Sequence, residues 1–69
     1  MVKRTRKITD NEKELIKLIA EGWSIADIIT KLGISTSTVR NWLEKLYIKT
    51  ETINRANLVY WAFKNGILE

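Results

Sequence analysis

The sequence predicts an all-α domain built from four helices, and three observations predict it. The chain contains no proline and almost no period-two alternation of apolar and polar residues. Apolar residues instead recur at helical spacing in four separate stretches. Each of the three glycines, Gly22, Gly33 and Gly66, stands where one of those stretches stops. A length of 69 residues allows one small domain, near the size at which a single core is only just sufficient, so a second copy would help to stabilise it.

Residues Met1 to Lys7 lack periodicity and carry Lys3, Arg4, Arg6 and Lys7 with no acid among them. They read as a basic N-terminal arm, suited to phosphate or minor-groove contact, the plain alternative being a solvated terminus. The domain proper is expected to span residues 8–69. Thr9-Asp10-Asn11-Glu12 is a capping box, in which the threonine hydroxyl accepts from the third amide and the glutamate reaches back; Ile8 before it can staple the helix start. The first helix then runs to about Glu21, with Leu15, Ile16, Leu18 and Ile19 inward and Lys13, Glu14, Lys17 and Glu21 outward. Gly22 ends it, and Trp23 is expected to plug the core between the first two helices. Ser24 with Asp27 forms a weaker box, since the carboxylate is one methylene shorter. Ile25, Ile28, Ile29 and Leu32 mark the second helix, and Gly33 provides the left-handed exit.

Ser35 can cap the next helix, from about Thr36 to Lys49. At about 100° per residue, Val39, Trp42, Leu43, Leu46 and Thr50 fall within an arc of roughly 100°. Ser37, Arg40, Asn41, Glu44, Lys45 and the odd apolar Ile48 lie on the other side. A helix, a short glycine-containing turn and a second helix with a polar outer side form the layout of a helix-turn-helix, whose second helix enters the DNA major groove. The side chains on that outer side suit the task. Arg40 has the fork that pairs with guanine O6 and N7, Asn41 can pair with adenine N6 and N7, and Glu44 can accept from a cytosine amino group. Ser35, Thr36, Thr38, Lys45 and Lys49 suit phosphate contacts, which set register without reading sequence. Ile48 can touch a thymine methyl or simply stand exposed.

Lys49 to Asn54 is a polar connector whose Ile53 is expected to tuck inward. The last helix, about Arg55 to Lys64, is apolar on most sides. Ala56, Leu58, Val59, Ala62 and Phe63 form a broad arc with Tyr60 and Trp61 on its flanks, more than one domain core needs to cover. Ala56, Tyr60, Trp61 and Phe63 are the expected dimer surface, unless a small core uses every aromatic itself. Asn65-Gly66 ends this helix, and Ile67-Leu68 can fold back on it.

The composition narrows the function classes. There are 12 Lys and Arg against 8 acids, a net charge of +4, which favours a polyanionic partner. No cysteine or histidine exists, which removes disulfides, thiolate metal sites and the commonest general base. Asp10, Glu12 and Glu14 are explained by helix capping and dipole, and no glycine-rich phosphate cradle or metal-ligand spacing is present. We expect no enzyme, no metal, no cofactor, no small-molecule ligand and no membrane span, in a chain acting in the cytoplasm at the nucleoid.

With these residues in view, the chain is similar from Ile8 to Leu68 to the LuxR/GerE-type DNA-binding domain of bacterial transcription regulators. The similarity rests on Ile8-Thr9 with Glu12, Leu18-Ile19-Ala20-Glu21-Gly22 before Ser24, Ile28 and Leu32-Gly33-Ile34-Ser35. It continues through Thr38-Val39-Arg40-Asn41, Asn54-Arg55, Val59, Ala62, Gly66 and Ile67-Leu68. The resemblance implies a four-helix domain, three forming the core and the fourth pairing about a two-fold axis. It puts base reading on Arg40, Asn41 and Glu44 and phosphate contact on Ser35, Thr36, Thr38 and Lys45, and it is greatest to short stand-alone members. The departures are Ile29 where alanine is usual, Trp42 for a frequent histidine, Glu44 for a basic or polar reader, and Thr50-Glu51 for the Leu-Gly that ends the third helix.

The leading expectation is therefore a small regulator that binds double-stranded DNA sequence-specifically as a homodimer on a pseudo-palindromic site. Two alternatives are a helix-turn-helix part of another DNA machine (sigma-factor-like, recombinase or packaging subunit) and a protein-interaction module that no longer binds DNA.

Overall fold

The computed structural model describes residues 8–68, and within them the four expected helices form: α1 (Asp10–Ala20), α2 (Ile25–Leu32), α3 (Thr36–Thr50) and α4 (Arg55–Lys64). The basic arm lies outside the described residues, and the roles expected of Lys3, Arg4, Arg6 and Lys7 lie there with it.

Every helix start is fixed by a side chain that accepts a backbone N–H three residues on. Thr9 Oγ1 accepts from the Glu12 N–H at 3.1 Å, and Glu12 Oε1 accepts from the Thr9 N–H at 3.0 Å, which completes the expected capping box. Ser24 caps α2 through the Asp27 N–H at 3.1 Å, and Ser35 caps α3 through the Thr38 N–H at 3.1 Å. For α4 the cap is Asn54, which accepts from the Asn57 N–H at 2.8 Å while Asn57 Oδ1 accepts from the Ile53 N–H at 3.0 Å. This reciprocal asparagine pair does the work of a capping box with amides in place of hydroxyl and carboxylate.

The helix ends also share a scheme, a left-handed residue followed by an amide that reaches back to the carbonyl five residues earlier. The Trp23, Ile34 and Ile67 N–H groups donate to the Leu18, Ile29 and Ala62 carbonyls at 3.1, 3.3 and 2.8 Å, each just after a glycine of positive φ. The end of α3 uses the same bond, from the Thr52 N–H to the Tyr47 carbonyl at 3.0 Å, but its left-handed residue is Glu51, at φ 59°. Thr50 and Thr52 are buried beside it, joined through their hydroxyls at 2.9 Å, with the Thr50 hydroxyl also donating to the Leu46 carbonyl at 2.7 Å.

The core is aliphatic throughout: Leu15, Ile16 and Leu18 from α1, Ile28 from α2, Val39, Leu43 and Leu46 from α3, and Leu58 and Ala62 from α4. Helix α1 packs on α4, α2 on α3, and α3 on α4. Trp42, Tyr47, Trp61, Ile67 and Leu68 are half-buried around this cluster.

Two expectations are corrected. Trp23 is not a core plug: it is 36% exposed, and the Lys31 ammonium stands over its ring at 5.3 Å from the centroid. The glycine turn carries it to the rim, where a large indole can cover apolar surface, meet a cation and keep its N–H near water. Ile53 does not tuck inward but is 81% exposed, because the bond from its N–H to Asn57 holds that residue in the cap outside the core.

Candidate nucleic-acid interface

Helix α3 is a polar surface mounted on a rigid support. Val39 and Leu46 are fully buried and Leu43 nearly so, which fixes the helix about its own axis. The opposite side then faces solvent, where Ser35, Thr36, Ser37, Arg40, Asn41, Glu44 and Lys45 are all exposed, with Thr38 half-buried. Among the described residues, no hydrogen bond or ion pair occupies the side chains of Arg40, Asn41, Glu44 or Lys45. Their donors and acceptors therefore point outward uncommitted, next to one another on successive turns. At the start of α3 the Ser35 and Thr38 hydroxyls lie 2.9 Å apart, so the two residues expected to meet phosphate also bond to each other.

Lys49 behaves differently from the rest of the expected phosphate set. Its ammonium donates to both oxygens of Glu12, at 2.7 and 2.9 Å, across 37 positions of sequence. The Glu12 residue is 7% exposed, and its carboxylate also takes the Thr9 N–H. Burial would raise the Glu12 carboxyl, but the hydrogen bonds from Lys49 and Thr9 together with the Lys49 charge outweigh it, and the group is held below the usual glutamate range. Glu12 thus ties the start of α1 to the last turn of α3. Sequence reasoning recognised its capping role and missed this long-range partner, for which no local signal exists.

Away from α3, which contributes no residue to its lining, α1 and α4 border an apolar groove of about 810 Å³ lined by Ala20, Ala56, Val59, Tyr60, Phe63 and Leu68, among others. Tyr60 and Phe63 are 59% and 60% exposed. Ala56 is also exposed, whereas Trp61, expected alongside them, is half-buried against its own core. Among the described residues there is no group of three or more metal-ligating side chains, and no helix is long and apolar enough to cross a membrane.

A sequence-family model described as a homeodomain-like domain matches residues 10–46, from the first turn of α1 to the buried Leu46 of α3. The chain belongs to the homeodomain-like helix-turn-helix family. The matched segment of this homeodomain-like domain holds α1, α2 and the turns of α3 that carry Arg40, Asn41 and Glu44. Its relatives include the probable transcriptional regulator ycf29 of Cyanophora paradoxa, 37% identical over 60 residues, and the transcriptional regulatory protein DesR of Bacillus subtilis, 36% identical over 59 residues. These alignments cover 87% and 86% of the homeodomain-like chain but only 29% and 30% of the two relatives. Among solved structures, it matches the response regulator ChrA of a heme-sensing two-component system with a TM-score of 0.87 at 25% identity, over 91% of this chain and 31% of that one. It also matches VqmA of Vibrio cholera, in a ligand–DNA complex, with a TM-score of 0.81 at 28% identity, over 97% of this chain and 29% of that one. The four-helix architecture is thus that of the helix-turn-helix domains of response regulators and related transcription factors, and the chain spans about 30% of the length of such proteins.

Proposed function

We propose that this chain is a LuxR/GerE-type domain that binds double-stranded DNA sequence-specifically and acts in transcription regulation, at the nucleoid, as a homodimer. The observation that carries the reading is the outward, uncommitted Arg40–Asn41 pair on a helix locked by Val39, Leu43 and Leu46. Helix α3 enters the major groove, where Arg40 pairs with a guanine edge, Asn41 with an adenine edge, and Glu44 accepts from a cytosine amino group. Ser35, Thr36, Thr38 and Lys45 meet phosphates and set the register, aided by Lys3, Arg4, Arg6 and Lys7 of the arm. Lys49 is left out of this set because its ammonium is engaged by Glu12. The relatives that are named as regulators, and a structural neighbour crystallised with DNA, support the same reading.

Pairing through α4, with Ala56, Tyr60 and Phe63 facing the partner, would place two α3 helices about 34 Å apart in successive major grooves. A pseudo-palindromic site follows from that symmetry. The test is a selection of bound duplexes from a random pool, repeated with Arg40→Ala. The expected outcome is a two-fold motif whose affinity falls by about 1–3 kcal/mol in the variant, with preference relaxed at one base step. Equal losses on the selected and on random duplexes would refute the role of Arg40, and the absence of any salt-dependent duplex binding would refute the function.

A further inference from the structure

Ile48 is the one exposed large hydrophobic residue on α3, at 79% exposure, and at that exposure it adds little to the core. At about 100° per residue, it falls within roughly 10° of the midline of the arc bounded by Arg40 and Lys45. Asn41, Glu44 and Ile48 also stand at i, i+3 and i+7, three of the four spacings at which the third helix of a homeodomain presents its reading residues to the major groove. Among the base edges of that groove the thymine C5-methyl is the one apolar feature. We propose that Ile48 is a specificity-determining residue that packs on a thymine methyl; the assignment rests on the DNA-binding reading above. Eight residues separate it from Arg40, about 12 Å along the helix axis, or roughly three to four base-pair steps. The thymine it meets therefore lies about that far from the base pair read by Arg40.

The experiment starts from the duplex selected by the wild-type chain, with the Arg40 base pair located by Arg40→Ala. Deoxyuridine then replaces each thymine in turn, which removes a methyl group and nothing else. One replacement, three or four steps from the Arg40 pair, is expected to weaken wild-type binding about fourfold, the worth of one buried methyl group. Ile48→Ala should bind the thymine and deoxyuridine duplexes equally, with unchanged thermal unfolding because the side chain is exposed. A flat deoxyuridine series, or a variant that still discriminates the methyl, would overturn the assignment while leaving Arg40 reading intact. If the wild type selects no motif at all, both the assignment and the reading beneath it fall.

Discussion

Removing the Glu12 carboxylate tests how the α3 surface is held in place. In Glu12→Ala, the Lys49 ammonium loses two hydrogen bonds, at 2.7 and 2.9 Å, and the Thr9 N–H loses its side-chain acceptor. The capping loss is about 1 kcal/mol. A fully buried pair broken on one side costs about 3–5 kcal/mol, but the Lys49 side chain is 26% exposed and water can recover part of that, so the pair accounts for about 1–2 kcal/mol. The sum, about 2–3 kcal/mol, is a large fraction of what a domain of this size has, at roughly 0.05–0.15 kcal/mol per residue. It should lower the melting temperature by about 10–20 °C in a calorimetric or circular-dichroism scan. The sign of the pH dependence follows from the lowered carboxyl. Its contribution is fully present above the ordinary glutamate value, near 4.3, and is lost as pH falls through the lower folded value. Wild-type stability should therefore drop more steeply below about pH 5 than that of Glu12→Gln, whose amide does not titrate there. Glu12→Ala combined with Lys49→Met should recover part of the loss, because removing both members of a partly buried pair costs less than removing one. If the two substitutions simply add, and the acid limb of the wild type matches that of Glu12→Gln, the two groups are not coupled and the tie between α1 and α3 does not exist.

Three further outcomes are expected. Glu51→Gly should stabilise the domain by about 0.5–1 kcal/mol, since relief of the left-handed backbone at φ 59° exceeds the entropy that glycine adds to the unfolded chain; an unchanged or lower melting temperature would show that Glu51 bears no strain. Asn54→Ala should cost about 1 kcal/mol through loss of the α4 cap and leave hydrogen-exchange protection of α2 unchanged; equal deprotection of α2 and α4 would contradict the local assignment. Phe63→Glu should shift the chain to monomer in sedimentation without unfolding it, because that ring is 60% exposed; a variant that still sediments as a dimer would remove α4 from the interface.

What could be read from the sequence was whatever is settled within about five residues of itself. Thr9, Ser24 and Ser35 each bond to an amide three positions on, and Gly22, Gly33 and Gly66 each precede an amide that reaches back, so helix limits were legible to within a residue or two. The inward side of α3 was legible for the same reason, as Val39, Leu43 and Leu46 follow one period and are all buried. The end of α3 shows the limit of residue identity as a guide: Glu51 takes the left-handed conformation that glycine takes in the other helix ends, held there by the Thr52–Tyr47 bond and the buried threonine pair. The Glu12–Lys49 pair was out of reach because its members meet only after α1 and α3 have packed, 37 residues apart.

Periodicity separates inside from outside but does not divide an outside among partners. On α3 that division is simple, since one arc is apolar and the rest is polar, and the exception, Ile48, becomes informative for being alone. On α4 the apolar arc is too wide for the same logic. Tyr60 and Trp61 differ by about 100° around the axis, and the sequence has no means of saying which of the two rings the domain keeps. The fold decides it through the position of α1: Trp61 is turned against the core, while Tyr60 and Phe63 are left at the groove between α1 and α4. On the function proposed above, the surface that reads DNA and the surface that pairs with a second copy lie on separate helices. A substitution on α4 can therefore weaken binding to a two-fold site through dimerisation while leaving binding to a half-site unchanged. A substitution at Arg40 should weaken both alike. Comparison of half-site and full-site affinities for Phe63→Glu and Arg40→Ala distinguishes the two roles, and a Phe63→Glu chain that loses half-site affinity as well would show that the two surfaces are not independent.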